Sequence, residues 1–480
     1  MPTFEKTQLV PVDADELYRW HARPGAFERL IPPWEDIESI DERGGIEDGA
    51  RRIFKIQQGP VSVTWEAHHR DHIAGEQFVD EQVRGPFARW VHTHRFEQHE
   101  PGKSWLVDHV DYALPLGGLG SMMGGSKARR MLEKMFAFRH RRTVEDLMRH
   151  ADTDRRLTVV ISGASGMVGS ALSALLSSGG HRVIRLVRRI GDVGEDALYW
   201  SPSTGEIDAE GLEGVDAVVH LAGESLQGRW TKKKRQAIEH SRIKGTSLLA
   251  EALAGLRDPP EVFATASAVG WYGDTGREPV DEKGAPGEGF LAEVCQKWEN
   301  ASAAAKEAGI RTVNMRLGVV LEPSGGAMAK MLPSVRYGLA SQLGSGDQYM
   351  SWIDLDDAIG AMLFLLTHDE LEGPVNLTAP RPVTNAELHQ ELGDVLDRPT
   401  WIPVPSMAVK AAVGSQAAQE MALVSQRVVP TVLQEAGFHY YYPDLKTSFE
   451  TKLGISPAVA DADRAMSISC LINTGIHGSI

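Results

Sequence analysis

Residues 157–169 read LTVVISGASGMVG, a β-branched run that breaks straight into Gly163, Gly166 and Gly169. No other stretch constrains the fold so tightly. Val159, Val160 and Ile161 suit a strand buried on both faces, as in a parallel sheet. The glycines then serve three ends: one permits the tight turn, one lets backbone approach a pyrophosphate, and one allows close packing of helix on strand. A helix from about Met167 to Ser178 offers its free N–H groups and positive dipole end to phosphates. The motif therefore predicts a dinucleotide cradle built from Gly163, Ala164, Ser165, Gly166, Met167, Val168 and Gly169.

The flank selects among dinucleotides. Gly179-Gly180 ends the helix, and HRVIRLVRR starts a second strand. A site for NAD places Asp or Glu at the end of that strand, about 20 residues past the glycines, on the ribose 2′-hydroxyl. Arg188 and Arg189 stand there instead. A guanidinium pairs with a 2′-phosphate and offers nothing comparable to a bare hydroxyl. The expected cofactor is NADP.

At 480 residues the chain is too long for one core, so two or more domains are expected. A net charge of −15 with no lasting basic tract argues against nucleic acid as the main partner. Cys295 and Cys470 lie far apart and form no disulfide framework, which fits a reducing cytoplasm. The opening MPTFEKTQLVPVDADE has no apolar signal-peptide core, and no apolar run reaches the ~18 residues of a membrane span. The expectation is a soluble cytoplasmic protein with no membrane partner.

A polar stretch, RHADTDRR, separates a long helix from the glycine strand. It divides a first domain, 1–152, from a dinucleotide-binding domain, 156–400; a small C-terminal module, 401–455, and a tail, 456–480, follow. Within the first domain, RRIFKIQ, VSVTWEA, EQFVDEQV, RWVHTHRF and SWLVDHVDYAL alternate apolar and polar residues, the pattern of an antiparallel sheet. GPV and EPGKS read as hairpin turns. A final helix, roughly Lys127 to His150, carries Met131, Leu132, Met135, Phe136, Phe138, Val144 and Leu147 at mostly helical spacing. Its basic segment KARRMLEK…FRHRR reads as a solvated face.

Ten of the 17 histidines fall in this region. His92 and His94 would share one face of a strand and could join a metal site. No cysteine or Glu-x-x-His partner accompanies them, so the expectation is no metal and polar residues on the wet face of a sheet.

Residues 1–150 resemble the START-like ligand-binding superfamily of polyketide cyclases and aromatase-type domains. The segments VPVDADELYRWHARPGAFERLIPPW and RGPFARWVHTHRFE carry the resemblance, together with the element order. It implies an α+β helix-grip domain around a cavity for a small apolar ligand.

From residue 157, VVIS, RVIRLV, DAVVHLAG, EVFATAS and RTVNMRLGVVL alternate with helices, as in an α/β Rossmann-type doubly wound parallel sheet. This half resembles the extended short-chain dehydrogenase/reductase superfamily, which includes nucleotide-sugar epimerases. The glycine motif carries the resemblance, with Asp216 to Gly223, Arg242-Ile243-Lys244-Gly245-Thr246, Ser267, Tyr272-Gly273, Arg316-Leu317-Gly318 and Ile353 to Asp357. It implies that Leu221, Ala222 and Gly223 pass the adenosine side and that Arg242 reaches cofactor phosphate or ribose. A narrower set looks like the "sugar-epimerase, SulA-like" branch, whose relatives are NADP-dependent oxidoreductases by assignment. That set is Gly223-Glu224-Ser225, Arg229-Trp230-Thr231, Ser241-Arg242-Ile243, SAVGWYG at 267–273, Trp298-Glu299, Gly325-Gly326-Ala327, Ser351-Trp352-Ile353, PVNLTAP at 374–380 and SQRVVP at 425–430.

The chemistry departs from the superfamily, which pairs tyrosine and lysine one helical turn apart to move a proton during hydride transfer. On the helix FLAEVCQKWENA, aligning Glu299 puts Leu291 at the tyrosine position and Cys295 at the lysine position. Ser267 is then either the substrate-binding serine of the superfamily or a strand-end cap. Tyr272 either supplies a phenolic proton or is a structural hydroxyl. Cys295 is a nucleophile or a small apolar residue, and Arg229 and Arg316 are candidates for an acidic substrate. The expected function is an NADP-dependent oxidoreductase or nucleotide-sugar epimerase-like enzyme acting on a sugar nucleotide or carbonyl compound. The alternative is an NADP(H) sensor that couples cofactor state to apolar ligand binding.

Overall fold

The computed structural model describes residues 2–455, apart from 59–60, 116, 152, 154 and 340–341. The expected tail and most of the GPV turn lie outside the described residues. The chain forms two compact units, one running to Asp152 and including the described residues from Thr451, the other Thr153–Glu450.

The first unit holds one antiparallel sheet. Its strands are β1 (Thr3–Val10), β2 (Asp36–Arg43), β3 (Arg51–Gln58), β4 (Val61–Ile73), β5 (Gln77–Arg84), β6 (Arg89–Glu100) and β7 (Lys103–Ala113), in the order β1-β7-β6-β5-β4-β3-β2. Helices α1 (Ala14–Ala22) and α2 (Ala26–Leu30) link β1 to β2, and α3 (Gly117–His150) follows β7. One side of the sheet buries Phe4, Trp65, Trp90, Val110 and Tyr112 against Leu132 and Phe136 of α3. A second cluster gathers Leu17 and Trp20 of α1 with Phe78, Phe96, Leu106 and Leu147. Sheet and long helix form the expected α+β helix grip.

Four details differ from expectation. Strand β2, DIESIDER, gave no apolar alternation because it is an edge strand, mostly exposed and bulged between Ser39 and Asp41. Helix α3 begins at Gly117, not Lys127; its glycine-rich start carries little helical periodicity. His92 and His94 are buried, not on a wet face. The second half of the basic segment is buried too: Arg142, His140 and Asp146 lie inside, and Arg29 grips Asp146 through two bonds of 2.7 Å. There part of the charge run faces the interior and meets buried carboxylates.

The second unit is built on an eight-stranded sheet in the order β11-β10-β9-β8-β12-β13-β14-β18. These are β8 (Thr158–Ser162), β9 (Arg182–Val187), β10 (Ala197–Ser201), β11 (Glu206–Ile207), β12 (Ala217–His220), β13 (Val262–Ala268), β14 (Arg311–Leu317), β15 (Val319–Glu322), β16 (Tyr349–Met350), β17 (Trp352–Asp354) and β18 (Gly373–Leu377), where β15–β17 lie outside the sheet. Pairing is parallel from β10 to β18. The helices are α4 (Met167–Ser178), α5 (Lys232–Ala254), α6 (Phe290–Asn300), α7 (Ala303–Glu307), α8 (Gly326–Arg336) and α9 (Leu355–Thr367). In β8, Val159 and Ile161 join the core under α4 and α9, while Val160 joins the core under α5. A strand that serves two cores in alternation is the mark of a doubly wound sheet.

The run RTVNMRLGVVL divides at Gly318. There a Cβ would meet the Ser351 carbonyl at 2.7 Å, and β15 leaves the sheet to pair with β17. No helix among the described residues is long and apolar enough to cross a membrane.

Candidate cofactor and active site

The strand order reverses between β8 and β12, and open α/β sheets bind ligands in the crevice outside the strand ends at such a point. Here β8 runs into Gly163, whose φ of +73° is one that L side chains rarely adopt. A Cβ on Gly163 would also stand 2.9 Å from the Ala222 nitrogen and 2.9 Å from the Leu221 carbonyl carbon. Gly166 donates its N–H to the Gly163 carbonyl at 2.9 Å and opens α4, which no side chain caps. A Cβ on Gly169 would meet the Gly163 oxygen at 2.2 Å. The turn, the start of α4 and the 221–223 segment are thus pressed together at backbone distance. The uncapped first-turn N–H groups of α4 remain as anion donors.

Ser162 and His220 hold this arrangement, and neither was singled out in the sequence. They stand opposite each other in the β8–β12 ladder, with Ser162 Oγ 2.6 Å from His220 Nδ1. Ser162 Oγ also accepts from the Leu221 and Ala222 amides at 3.2 and 3.3 Å, fixing the segment that crosses Gly163. Burial, aided by the Arg242 charge, pushes His220 down to about 3. Below about pH 6.5 the unfolded chain takes up a proton here that the folded chain refuses, so stability falls with pH from about 6.5 toward 3. The expected slope from this residue approaches 1.4 kcal/mol per pH unit, at the order-of-magnitude level. Urea unfolding between about pH 7 and 5 checks it: His220→Asn should show a shallower pH dependence, and an unchanged slope would assign the effect elsewhere.

Arg188 and Arg189 lie just past the end of β9, and both are exposed. The β8–β9 register sets Ser162 against Leu186, which places the two arginines beside the glycine turn. Arg242 is half-buried, donates to the Glu224 and Ile238 carbonyls at 3.0 and 3.1 Å, and stacks on Trp298 with its guanidinium 4.9 Å from the ring centroid. It lies under Gly223, where a Cβ would meet the guanidinium carbon at 3.4 Å. It braces the segment that follows β12.

At the ends of β13, β14 and β18 a second group of side chains converges. Arg316 donates from Nε and Nη2 to the two oxygens of Glu299 at 2.8 and 2.9 Å. Ser267 Oγ donates to Glu299 Oε1 at 2.6 Å. Arg316 Nη1 donates to the Tyr272 hydroxyl at 2.8 Å, which in turn donates to Asn376 Oδ1 at 2.8 Å. Asn376 in turn donates its backbone N–H to Glu282 Oε1 at 3.0 Å. All six residues are buried. Burial pushes the Tyr272 phenol up to about 12, although the Arg316 charge opposes it.

Ser267 and Tyr272 therefore come together, but as members of an ion-pair network and not as free hydroxyls. Arg316, a candidate for an acidic substrate, spends Nε, Nη1 and Nη2 on Glu299 and Tyr272 within the fold. The partners Glu299 and Asn376 sat in quoted motifs, Trp298-Glu299 and PVNLTAP, without an assigned role. Arg229 is exposed and donates to the Ala411 carbonyl.

Helix α6 turns Leu291 and Cys295 toward Gly270, where a Cβ would meet them at 3.5 and 3.7 Å. The positions of the missing tyrosine and lysine are thus filled by an apolar pair beside the end of β13. Burial pushes the Cys295 thiol up to about 12, with Glu299 adding to the effect, so it is no thiolate nucleophile at neutral pH. Lys297 points away and pairs with Glu239 at 2.6 Å.

Residues 159–377 match the NAD dependent epimerase/dehydratase family, 404–451 a domain of unknown function (DUF1731), and 10–136 the polyketide cyclase / dehydrase and lipid transport family. An epimerase family protein of Mycobacterium leprae is 44% identical over 293 residues, covering 61% of this chain and 94% of the relative. The crystal structure of a nucleoside-diphosphate sugar epimerase from Corynebacterium glutamicum is similar across both units, with 31% identity, a TM-score of 0.78, and coverage of 97% of this chain and 93% of that one. Human epimerase family protein SDR39U1, solved with NADPH, is 32% identical with a TM-score of 0.57, covering 62% of this chain and 99% of that one. The chain belongs to this epimerase family, its nicotinamide-cofactor-dependent epimerase/dehydratase domain preceded by a START-like domain of the polyketide cyclase type.

Proposed function

We propose that the chain binds NADP(H) at the β8–β12 crevice and exchanges hydride with a sugar-nucleotide or other carbonyl substrate, while the N-terminal unit holds a small apolar ligand. The observation that carries the cofactor choice is the exposed pair Arg188 and Arg189 beside the glycine turn, where no ion pair engages either among the described residues. NADPH in human SDR39U1 supports that choice, and the nucleoside-diphosphate sugar epimerase of C. glutamicum supports the substrate class. NADP(H), when bound, supplies a hydride donor or acceptor at its nicotinamide ring.

The chain supplies the rest. Gly163 to Gly169 set the pyrophosphate on the start of α4. Leu221, Ala222 and Gly223 line the adenosine side, braced by Arg242. Ser267 and Tyr272 act as positioning residues, locking Glu299, Arg316 and Asn376 at the ends of three strands.

Calorimetric titration of NADPH and NADH against the wild type and Arg188→Asp tests the cofactor assignment. A charge-assisted contact to phosphate is worth about 1.5–3 kcal/mol, so NADPH affinity should fall about 10–150-fold with little change for NADH. Equal losses for both cofactors would overturn the placement of Arg188 at the 2′-phosphate.

A further inference from the structure

We infer that Asp80, His92 and His94 form a divalent transition-metal site inside the N-terminal unit, with Asp108 as the carboxylate that orients both imidazoles. The strand register builds it. Asp80 stands opposite His92 in the β5–β6 ladder, and Asp108 stands opposite His94 in the β6–β7 ladder. Opposed residues share a face, as do residues i and i+2. All four side chains therefore project from one face of three adjacent strands. Helix α3 covers that face, with His140 Nε2 2.5 Å from Asp108 Oδ2.

Three candidate ligand atoms converge. Asp80 Oδ2 lies 2.9 Å from His92 Nδ1 and 3.1 Å from His94 Nε2, and the three residues' ligand atoms lie within 4.8 Å of one another. Tetrahedral zinc with bonds of 2.0–2.1 Å sets its ligand atoms about 3.3 Å apart. The two distances from Asp80 Oδ2 need open by only a few tenths of an ångström to admit the ion. The remaining ring nitrogens, His92 Nε2 and His94 Nδ1, lie 2.8 and 2.9 Å from one and the same oxygen, Asp108 Oδ1, although the second is not aligned as a hydrogen bond. Metal-bound imidazoles direct their second nitrogen at a carboxylate in this way, which fixes the tautomer and leaves the lone pair for the metal.

The distribution of charge points the same way. Two imidazoles make four close approaches to the oxygens of two buried or half-buried carboxylates, which place two negative charges around one spot. Of the four ring nitrogens, His94 Nδ1 makes no hydrogen bond among the described residues. Arg139 feels the charge of both carboxylates, but its guanidinium lies over Phe136, and its Nε makes no hydrogen bond among the described residues. A divalent cation between Asp80 and the two imidazoles would offset that negative charge. Phe78, stacked on His94 at 4.1 Å, and Phe136, edge-on to His92 at 5.0 Å, hold the rings in place. Two imidazoles and one carboxylate are a ligand set for Zn²⁺ and neighbouring first-row metals, with a further position left for water or an oxygen ligand. Asp80 is donated by the neighbouring strand, so no spacing motif in the sequence announces the site.

The test uses the full chain, stripped of metal and without an affinity tag, titrated with Zn²⁺ by calorimetry and with Co²⁺ by visible absorption. One metal per chain is expected, with Co²⁺ showing ligand-field bands. Asp80→Asn and His94→Gln should abolish stoichiometric uptake, Asp108→Asn should weaken it about 10–100-fold, and His68→Gln, exposed on the same sheet, should leave it unchanged. Wild-type protein that takes up neither metal stoichiometrically overturns the proposal, without recourse to any variant. So does Asp80→Asn protein with a native circular dichroism spectrum and wild-type affinity.

Discussion

Replacing Arg316 with methionine is expected to lower the stability of the epimerase unit by about 3–5 kcal/mol, the cost of breaking a buried ion pair from one side. The guanidinium satisfies both Glu299 oxygens and the Tyr272 hydroxyl, and it lies 4.0 Å from the centroid of the Trp271 ring. Without it, Glu299 keeps, among the described residues, only the Ser267 hydroxyl, and an ionised carboxylate is left buried with one donor. Equilibrium unfolding in urea, read at constant m-value, measures the loss. The double variant Arg316→Met/Glu299→Leu should recover most of it, because the penalty belongs to the orphaned charge more than to the lost attraction. A single-variant loss below about 1 kcal/mol would place the pair in the range of a solvated surface bridge and defeat the argument.

The same network shows where the sequence stopped being informative. The doubly wound sheet was legible because its strands are continuous β-branched runs and its glycines punctuate them. The tight glycine turn that opens α4 followed from the same residues. What spacing could not show was which polar side chains meet across strands. Glu299 on α6, Arg316 on β14 and Asn376 on β18 are far apart in the chain but join at one end of the sheet. Ser267 read as a candidate substrate-binding serine and Tyr272 as a candidate proton donor because a hydroxyl at a strand end looks the same whether its partner is substrate or a buried carboxylate. The histidines of β6 failed for a related reason. Alternation of residues gave the strand, but not which of its faces α3 would cover. Charged edge strand β2 and the glycine-rich start of α3 were lost because neither carries the apolar period on which such readings rest.

Gly169→Ala is expected to remove most cofactor affinity, and the reason is steric before it is chemical. The added Cβ would stand 2.2 Å from the Gly163 oxygen and 2.9 Å from Ala164 Cα, both backbone atoms that cannot rotate aside. Relief requires α4 to lift off the turn, and overpacking of this kind costs about 1–3 kcal/mol. That displacement moves the first-turn N–H groups away from the pyrophosphate they would bind. If the strain is relieved only when the helix shifts, the same 1–3 kcal/mol appears as a loss of about 5–150-fold in NADPH affinity. Gly191→Ala is the control, since it lies close beyond Arg188 and Arg189 but a Cβ there meets nothing within 4 Å. Fluorescence titration of NADPH with both variants, alongside thermal melts without cofactor, separates the outcomes. Near-normal melting with lost affinity for Gly169→Ala alone would show that the glycine keeps α4 at binding distance. NADPH affinity within about twofold of wild type would mean that the start of α4 does not carry the pyrophosphate, since a helix pushed aside by that clash could not keep its contacts.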